Sequence, residues 1–154
     1  MARILLTSHS MPDHPAILLI EDSLGECELF RIALASTGIA TALLTLHDRE
    51  AALKFLKSMP KNEIAVILLD WRLGNQSGVL FLKAFRAEHR FAGIPVIIFT
   101  TSDEQSDVAA AYANGANGYI VKPETFEQLV PCIADICHFW IDRNRLPHMA
   151  NVAS

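Results

Sequence analysis

With 154 residues, 51% of them hydrophobic and 19% charged, the chain has the make-up of one compact domain and not of a disordered segment. Its apolar stretches fall well short of the roughly 18 residues of a membrane span, and the N-terminus is too brief for a secretory signal. A formal net charge of −4 with no basic cluster gives nucleic-acid binding no electrostatic support.

Strand and helix patterns alternate along the chain. Ala16 to Ile20 is a continuous aliphatic run and predicts a buried strand. Ser23-Leu-Gly-Glu26 has the form of a capping box, opening a helix from Leu24 to Ser36 that Gly38 ends. Thr41 to Leu46 predicts the second strand, and Asp48 caps a helix that stops before Pro60. Ala65 to Leu69 is the third and most uniformly apolar strand, followed by the turn-rich Gly74-Asn-Gln-Ser-Gly78 and a helix over Val79 to His89. Pro95 to Phe99 predicts the fourth strand. Ser102-Asp-Glu-Gln105 reads as a capping box for a helix from Asp103 to Asn114, and Tyr119 to Val121 predicts the fifth strand. Thr125 caps a last helix running to about Arg143, with Pro131 inside it; an interior proline costs about 3 kcal/mol, so a kink or a late start is expected there.

This is a βα unit repeated five times, which implies an α/β fold with a parallel sheet covered on both faces. The expected division is an N-terminal extension over 1–15, one domain over 16–143 and a C-terminal arm over 144–154. Cys27, Cys132 and Cys137 lack metal-type spacing and read as reduced thiols, which points to the cytoplasm.

Ligand sites in parallel α/β sheets lie beyond the carboxyl ends of the strands. The first strand ends in Glu21-Asp22, the third in Asp70, the fourth in Thr100-Thr101 and the fifth in Lys122-Pro123; His47, after the second, adds nothing comparable. Three clustered carboxylates repel one another unless a cation sits among them, and oxygen-only ligands favour a hard ion such as Mg²⁺. Lys122 supplies a point charge suited to a phosphoryl oxygen, and Thr100 a hydroxyl for another. One carboxylate can then attack phosphorus to form an acyl phosphate. Each residue alone reads as a solvated loop residue; the conjunction at four strand ends carries the functional reading.

These residues resemble the response-regulator receiver family. The matching pieces are Ile17-Leu-Leu-Ile-Glu-Asp-Ser23, Val66-Ile-Leu-Leu-Asp-Trp-Arg-Leu73 with Gly78, Ile94-Pro-Val-Ile-Ile-Phe-Thr-Thr-Ser102 and Gly115-Ala-Asn-Gly-Tyr-Ile-Val-Lys-Pro123. The resemblance implies a flavodoxin-like (βα)5 doubly wound parallel sheet of strand order 2-1-3-4-5. It implies Asp70 as phosphoacceptor and Mg²⁺ held by Asp22, Asp70 and the Arg72 backbone carbonyl, with Glu21 acting through water. It further implies Thr100 as switch hydroxyl, Tyr119 as switch aromatic, Lys122 as the phosphate-pairing lysine, and a cis bond before Pro123. The implied activity is acceptance of a phosphoryl group from a sensor histidine kinase, with a signal at the face of the fourth helix, fifth strand and fifth helix. Gly74 stands where the family commonly has proline, and Thr101 where Ala or Gly is common.

Phe99-Thr-Thr-Ser102 and the tail His138 to Pro147 resemble, more narrowly, the receivers that partner bacterial phytochrome kinases. Phe139, Trp140, Ile141, Leu146 and Pro147 then predict a homodimer through the last helix and arm. The alternative for the aromatic residues is the end of an amphipathic helix on its own core.

Two other functions fit parts of the pattern. An Asp-nucleophile, Mg²⁺-dependent phosphohydrolase of the dehalogenase-like kind normally carries a second Asp two residues after the nucleophile; here that position is Arg72, which cannot accept a proton. A degenerate receiver acting only as a binding module conflicts with the intact set of Asp22, Asp70, Thr100 and Lys122. The expectation is therefore a protein that accepts and loses its own phosphoryl group but is otherwise no enzyme, with no nucleic-acid or membrane partner.

Overall fold

The computed structural model describes residues 3–5, 15–60, 63–74 and 76–147. Its elements in chain order are β1 (Arg3–Leu5), β2 (Ala16–Ile20), α1 (Leu24–Ser36), β3 (Leu43–Leu46), α2 (Arg49–Ser58), β4 (Ile64–Leu69), β5 (Arg72–Leu73), β6 (Gln76–Ser77) and α3 (Gly78–Ala87). A 3₁₀ turn (His89–Phe91), β7 (Val96–Thr100), α4 (Gln105–Ala113), β8 (Gly118–Val121) and α5 (Phe126–Cys137) follow, and a π-helical segment (His138–Arg143) continues α5.

Five parallel strands run in the order β3-β2-β4-β7-β8, which in terms of the five βα units is 2-1-3-4-5 as expected. Strand alternation divides the core between the two sheet faces. In β2, Leu18 and Ile20 join one cluster with Phe81, Leu82 and Phe85 of α3, whereas Ile17 and Leu19 join the other with Phe30 of α1 and Ile133 of α5. A strand buried on both faces can carry no polar position until it ends, so chemistry is confined to the residues just past the ladder.

Several boundaries follow local chemistry. Ser23 Oγ accepts from the Glu26 amide at 3.2 Å, Asp48 Oδ1 from Ala51 at 2.7 Å and Thr125 Oγ1 from Gln128 at 3.3 Å. Each such cap stabilises its helix by about 1 kcal/mol. The Ser102 capping box does not form: α4 starts at Gln105 after Glu104, which makes no side-chain cap, while the Ser102 hydroxyl donates to Asp107 and accepts from the Glu104 amide at 3.4 Å.

Other expectations are corrected. The second strand begins at Leu43 and not at Thr41. Arg3–Leu5, placed in an extension, pairs antiparallel with β3 at the sheet edge, register Arg3 to Thr45. The last α-helix starts at Phe126 despite Pro131 and gives way to π-helical geometry after Cys137. Among the described residues no peptide bond is cis, so the Lys122–Pro123 bond is trans.

Candidate functional site

The loop ends of β2, β4, β7 and β8 meet because their ladders bring them level. The Asp70 amide donates to Ile20 O at 3.0 Å, Glu21 to Leu46 O at 2.9 Å and Lys122 to Thr100 O at 2.7 Å. Glu21, Asp70 and Lys122 therefore leave the backbone just past their strands, with Thr100 as the last residue of β7.

Carboxylate oxygens of Glu21, Asp22 and Asp70 lie within 4.8 Å of one another. Glu21 is buried, Asp70 half-buried and Asp22 exposed. Lys122 Nζ stands 2.8 Å from Glu21 Oε2 and 3.5 Å from Glu26 Oε2. Burial pushes the Glu21 carboxyl up to about 7, against the pull of the Lys122 hydrogen bond and charge. Burial also works against the Lys122 charge, but Glu21, Asp70 and Glu26 outweigh it and hold its pKa above the ordinary lysine value. Lys122 compensates Glu21 at close range and leaves Asp22 and Asp70 facing each other. Three oxygen donors with one ammonium between them fit a hard divalent cation.

The loop after Asp70 is held by contacts on its described residues. Arg72 and Leu73 pair with Ser77 and Gln76 in a two-stranded hairpin. Gly74, at φ +61°, donates its amide to Asp22 Oδ2 at 2.8 Å. A proline in that position has no N–H and cannot adopt this φ, so the departure from the family pattern creates a contact to a metal-ligand candidate. Trp71 is buried, and a Cβ on Gly78 would sit 2.8 Å from its ring, which is why glycine opens α3. The Arg72 amide lies 3.5 Å from Asp70 Oδ1.

Thr100 is buried at the end of β7, its Oγ1 accepting from the Ser102 amide at 3.4 Å. Tyr119 is half-buried against the α3 side of the core and donates to Ser102 O at 2.9 Å. Thr101 is exposed and lines the cleft beside Lys122. The predicted set Glu21, Asp22, Asp70, Thr100 and Lys122 is thus brought together, with Arg72 and Tyr119 on its rim.

Sequence reasoning missed four participants. His47, set aside above, places Nδ1 3.0 Å from Glu21 O, and the Cys27 thiol donates to the same carbonyl at 3.6 Å. Glu26 joins the Lys122 ion pair, and Asp107 bonds Ser102. Glu26 and Cys27 lie in the first turn of α1, four to six residues after Glu21-Asp22, a proximity that could have been used; His47 and Asp107 arrive from other elements.

The residues of the expected dimer contact lie at the opposite end. Trp140 and Ile141 pack partly buried on the α1–α5 core, the Trp140 ring edge-on to Phe139, while Phe139 is exposed. Leu146 and Pro147 line a groove on their own chain with Leu56, Met59, Phe91 and Gly93.

A model of the response regulator receiver domain matches residues 17–134. The chain belongs to that family. Response regulator Rcp1 of Synechocystis sp. is 32% identical over 135 residues, covering 85% of this chain and 92% of Rcp1. The probable methanogenesis regulatory protein FilR2 of Methanothrix harundinacea is 33% identical over 138 residues, covering 85% and 86%. Among solved structures, the Mn²⁺-bound form of Rcp1 superposes with TM-score 0.73 at 31% identity, covering 86% of this chain and 99% of that one. The phosphorylated cyanobacterial phytochrome response regulator RcpA does so with TM-score 0.77 at 28% identity, covering 87% and 99%. This receiver therefore resembles the phytochrome-associated response regulators. No described helix is long and apolar enough to cross a membrane.

Proposed function

We propose that this receiver takes a phosphoryl group onto Asp70 from a phosphohistidine of a sensor kinase, with Mg²⁺ as the resident cation. The observation that carries the reading is the grouping of three carboxylates within 4.8 Å with Lys122 held at 2.8 Å from one of them. An Asp70 carboxylate oxygen attacks phosphorus; the P–N bond to the histidine breaks, and its electron pair returns to the imidazole nitrogen, which is then protonated. Asp22, Asp70 and the Arg72 carbonyl would hold the cation, with Glu21 in reserve through water. When bound, the cation supplies positive charge against the transferring phosphoryl oxygens.

Lys122 exchanges Glu21 for the new phosphoryl oxygens, and Thr100 turns its hydroxyl toward them. Ser102 follows Thr100 and carries the carbonyl that holds Tyr119, so the signal spreads to the face of α4, β8 and α5. No turnover of a separate substrate is expected. The likeness to RcpA supports a phytochrome-type histidine kinase as the donor; the output proposed is protein contact or relay in the cytoplasm. Exposed Phe139 supports a homodimer built on the last helix and the C-terminal arm.

Incubation with acetyl phosphate and Mg²⁺, followed by intact-mass analysis, tests the reading. One adduct that maps to Asp70 is expected; continuous phosphate release with no adduct would mean a hydrolase, and no reaction a binding module.

A further inference from the structure

Asp107 lies in the first turn of α4, where a carboxylate is favourable without partners because it faces the positive end of the helix. Here its partners come from outside the helix. The Ser102 hydroxyl donates to Oδ2 at 2.6 Å, and Arg72 Nη2 lies 4.0 Å from the same oxygen. The Trp71 side chain, one residue before Arg72, also acts to lower the Asp107 pKa. Ser102 first, then Trp71 and the Arg72 charge, outweigh burial and hold the Asp107 pKa below the usual carboxylate range.

The positions of these partners in the chain are what matters. Trp71 and Arg72 directly follow Asp70, and Ser102 lies two residues beyond Thr100. One carboxylate on α4 therefore gathers the residues next to the acceptor and next to the switch hydroxyl. Trp71 is 3% exposed and pressed by Gly78, so its ring cannot shift alone; movement of the loop must be passed on or resisted. Helix α4 has no side-chain cap at Glu104, and its start is tied to Ser102 of the preceding loop by the Asp107 carboxylate at 2.6 Å and, more loosely, by the Glu104 amide at 3.4 Å.

We propose that Asp107 is a positioning residue that locks the Trp71-Arg72 segment and Ser102 to the first turn of α4, so that events at Asp70 reach α4 through this carboxylate. Both arms of the test rest on the reading above, the phosphoryl arm on its chemistry and the metal arm on its Mg²⁺ site.

The test uses the full chain in a Trp140→Phe background, so that Trp71 is the remaining indole, with Asp107→Ala and Asp107→Asn. Per-residue amide exchange over 105–113 and Trp71 fluorescence are followed with and without Mg²⁺, and with and without acetyl phosphate. With Asp107 present, exchange in α4 should change on adding Mg²⁺. In Asp107→Ala that change should shrink by roughly threefold, and Trp71 should become more accessible to a quencher. Asp107→Asn keeps an acceptor for Ser102 but no charge for Arg72 and should fall between, which also covers an alanine variant whose α4 unravels. Equal α4 responses with and without Asp107, or an α4 that ignores Mg²⁺ in a parent whose Trp71 fluorescence shows Mg²⁺ bound, would overturn the proposal; a parent that binds no Mg²⁺ would overturn the metal site instead. Absence of an Asp70 adduct in the parent would count against the receiver chemistry alone, and the Mg²⁺ arm would still judge Asp107.

Discussion

At the carboxyl end of the sheet, Glu21, Asp22 and Asp70 crowd together around one ammonium; at the amino end, Leu146 and Pro147 lie in an apolar groove beside the stacked rings of Phe85 and Phe91. The first end holds like charges that a packed core cannot relieve, and it is kept in place by backbone bonds across neighbouring strands. The second is closed by ring packing and by the chain folding back on itself. The contrast separates the residues that act from those that hold: substitutions at the first end should alter chemistry with little loss of stability, and those at the second should do the reverse.

The largest expected effect is at the acceptor. Asp70→Asn should abolish phosphoryl uptake from acetyl phosphate, read by intact mass, while leaving thermal stability within about 1 kcal/mol. An adduct of unchanged size would end the assignment. The matching blow at the other end is Phe91→Ala, which removes a ring that is 2% exposed and 4.8 Å from Phe85. It should cost about 3–5 kcal/mol in denaturant unfolding, with the surviving folded protein still accepting phosphate on Asp70.

Next in size is the metal. Asp22→Ala removes one candidate ligand and also the acceptor for the Gly74 amide. Mg²⁺ affinity, followed through Trp71, should fall by roughly tenfold or more. Equal binding by parent and variant would remove Asp22 from the ligand set.

A smaller effect concerns pH. The Glu21 carboxyl moves from 4.5 to about 7, chiefly through burial. Because the folded-state pKa is the higher, the neutral form favours folding; this contribution is complete below about pH 4.5 and is lost as pH rises through about 7. In chelator-treated protein, the difference in melting temperature between parent and Glu21→Gln should therefore shift against the parent between those values. A flat difference would mean that Glu21 is not penalised by burial.

The smallest test is at the arm. A Cβ on Gly93 would stand 2.6 Å from Pro147 Cγ, so Gly93→Ala should displace the arm. Stability should change by less than about 1 kcal/mol and phosphorylation not at all. Light scattering of this variant beside the full chain and a chain cut after Cys137 then shows whether the arm or the aromatic end of α5 governs assembly.

The parallel sheet, its order and the acidic rim were legible in the chain because two-sided burial leaves polar residues nowhere to sit but strand ends, and because the family motifs are dense there. The departures have different sources. Ser102 has the sequence of a cap, but a hydroxyl makes the bond its surroundings offer, and Asp107 offers a charged one. The edge strand Arg3–Leu5 carries no periodic signal strong enough to read in three residues; it exists because β3 presents an unpaired edge. Pro131 loses one helix bond, yet Leu129, Ile133 and Ile136 are buried around it, and packing outweighs propensity.

By itself, then, the sequence determined the five βα units, the division of each strand between two faces, and the identity of Asp22, Asp70, Thr100 and Lys122 as the residues that meet. These follow from periodicity and from covalent neighbours, which act over a few residues. Only the tertiary structure decided that Lys122 rests on Glu21 and Glu26, that Gly74 bonds Asp22, that His47 supports the Glu21 backbone, and that Asp107 joins the acceptor loop to α4. Each of these is a choice among polar partners of similar chemistry. It is settled by distance and by burial, which depend on how separate elements pack and are not written in any one of them.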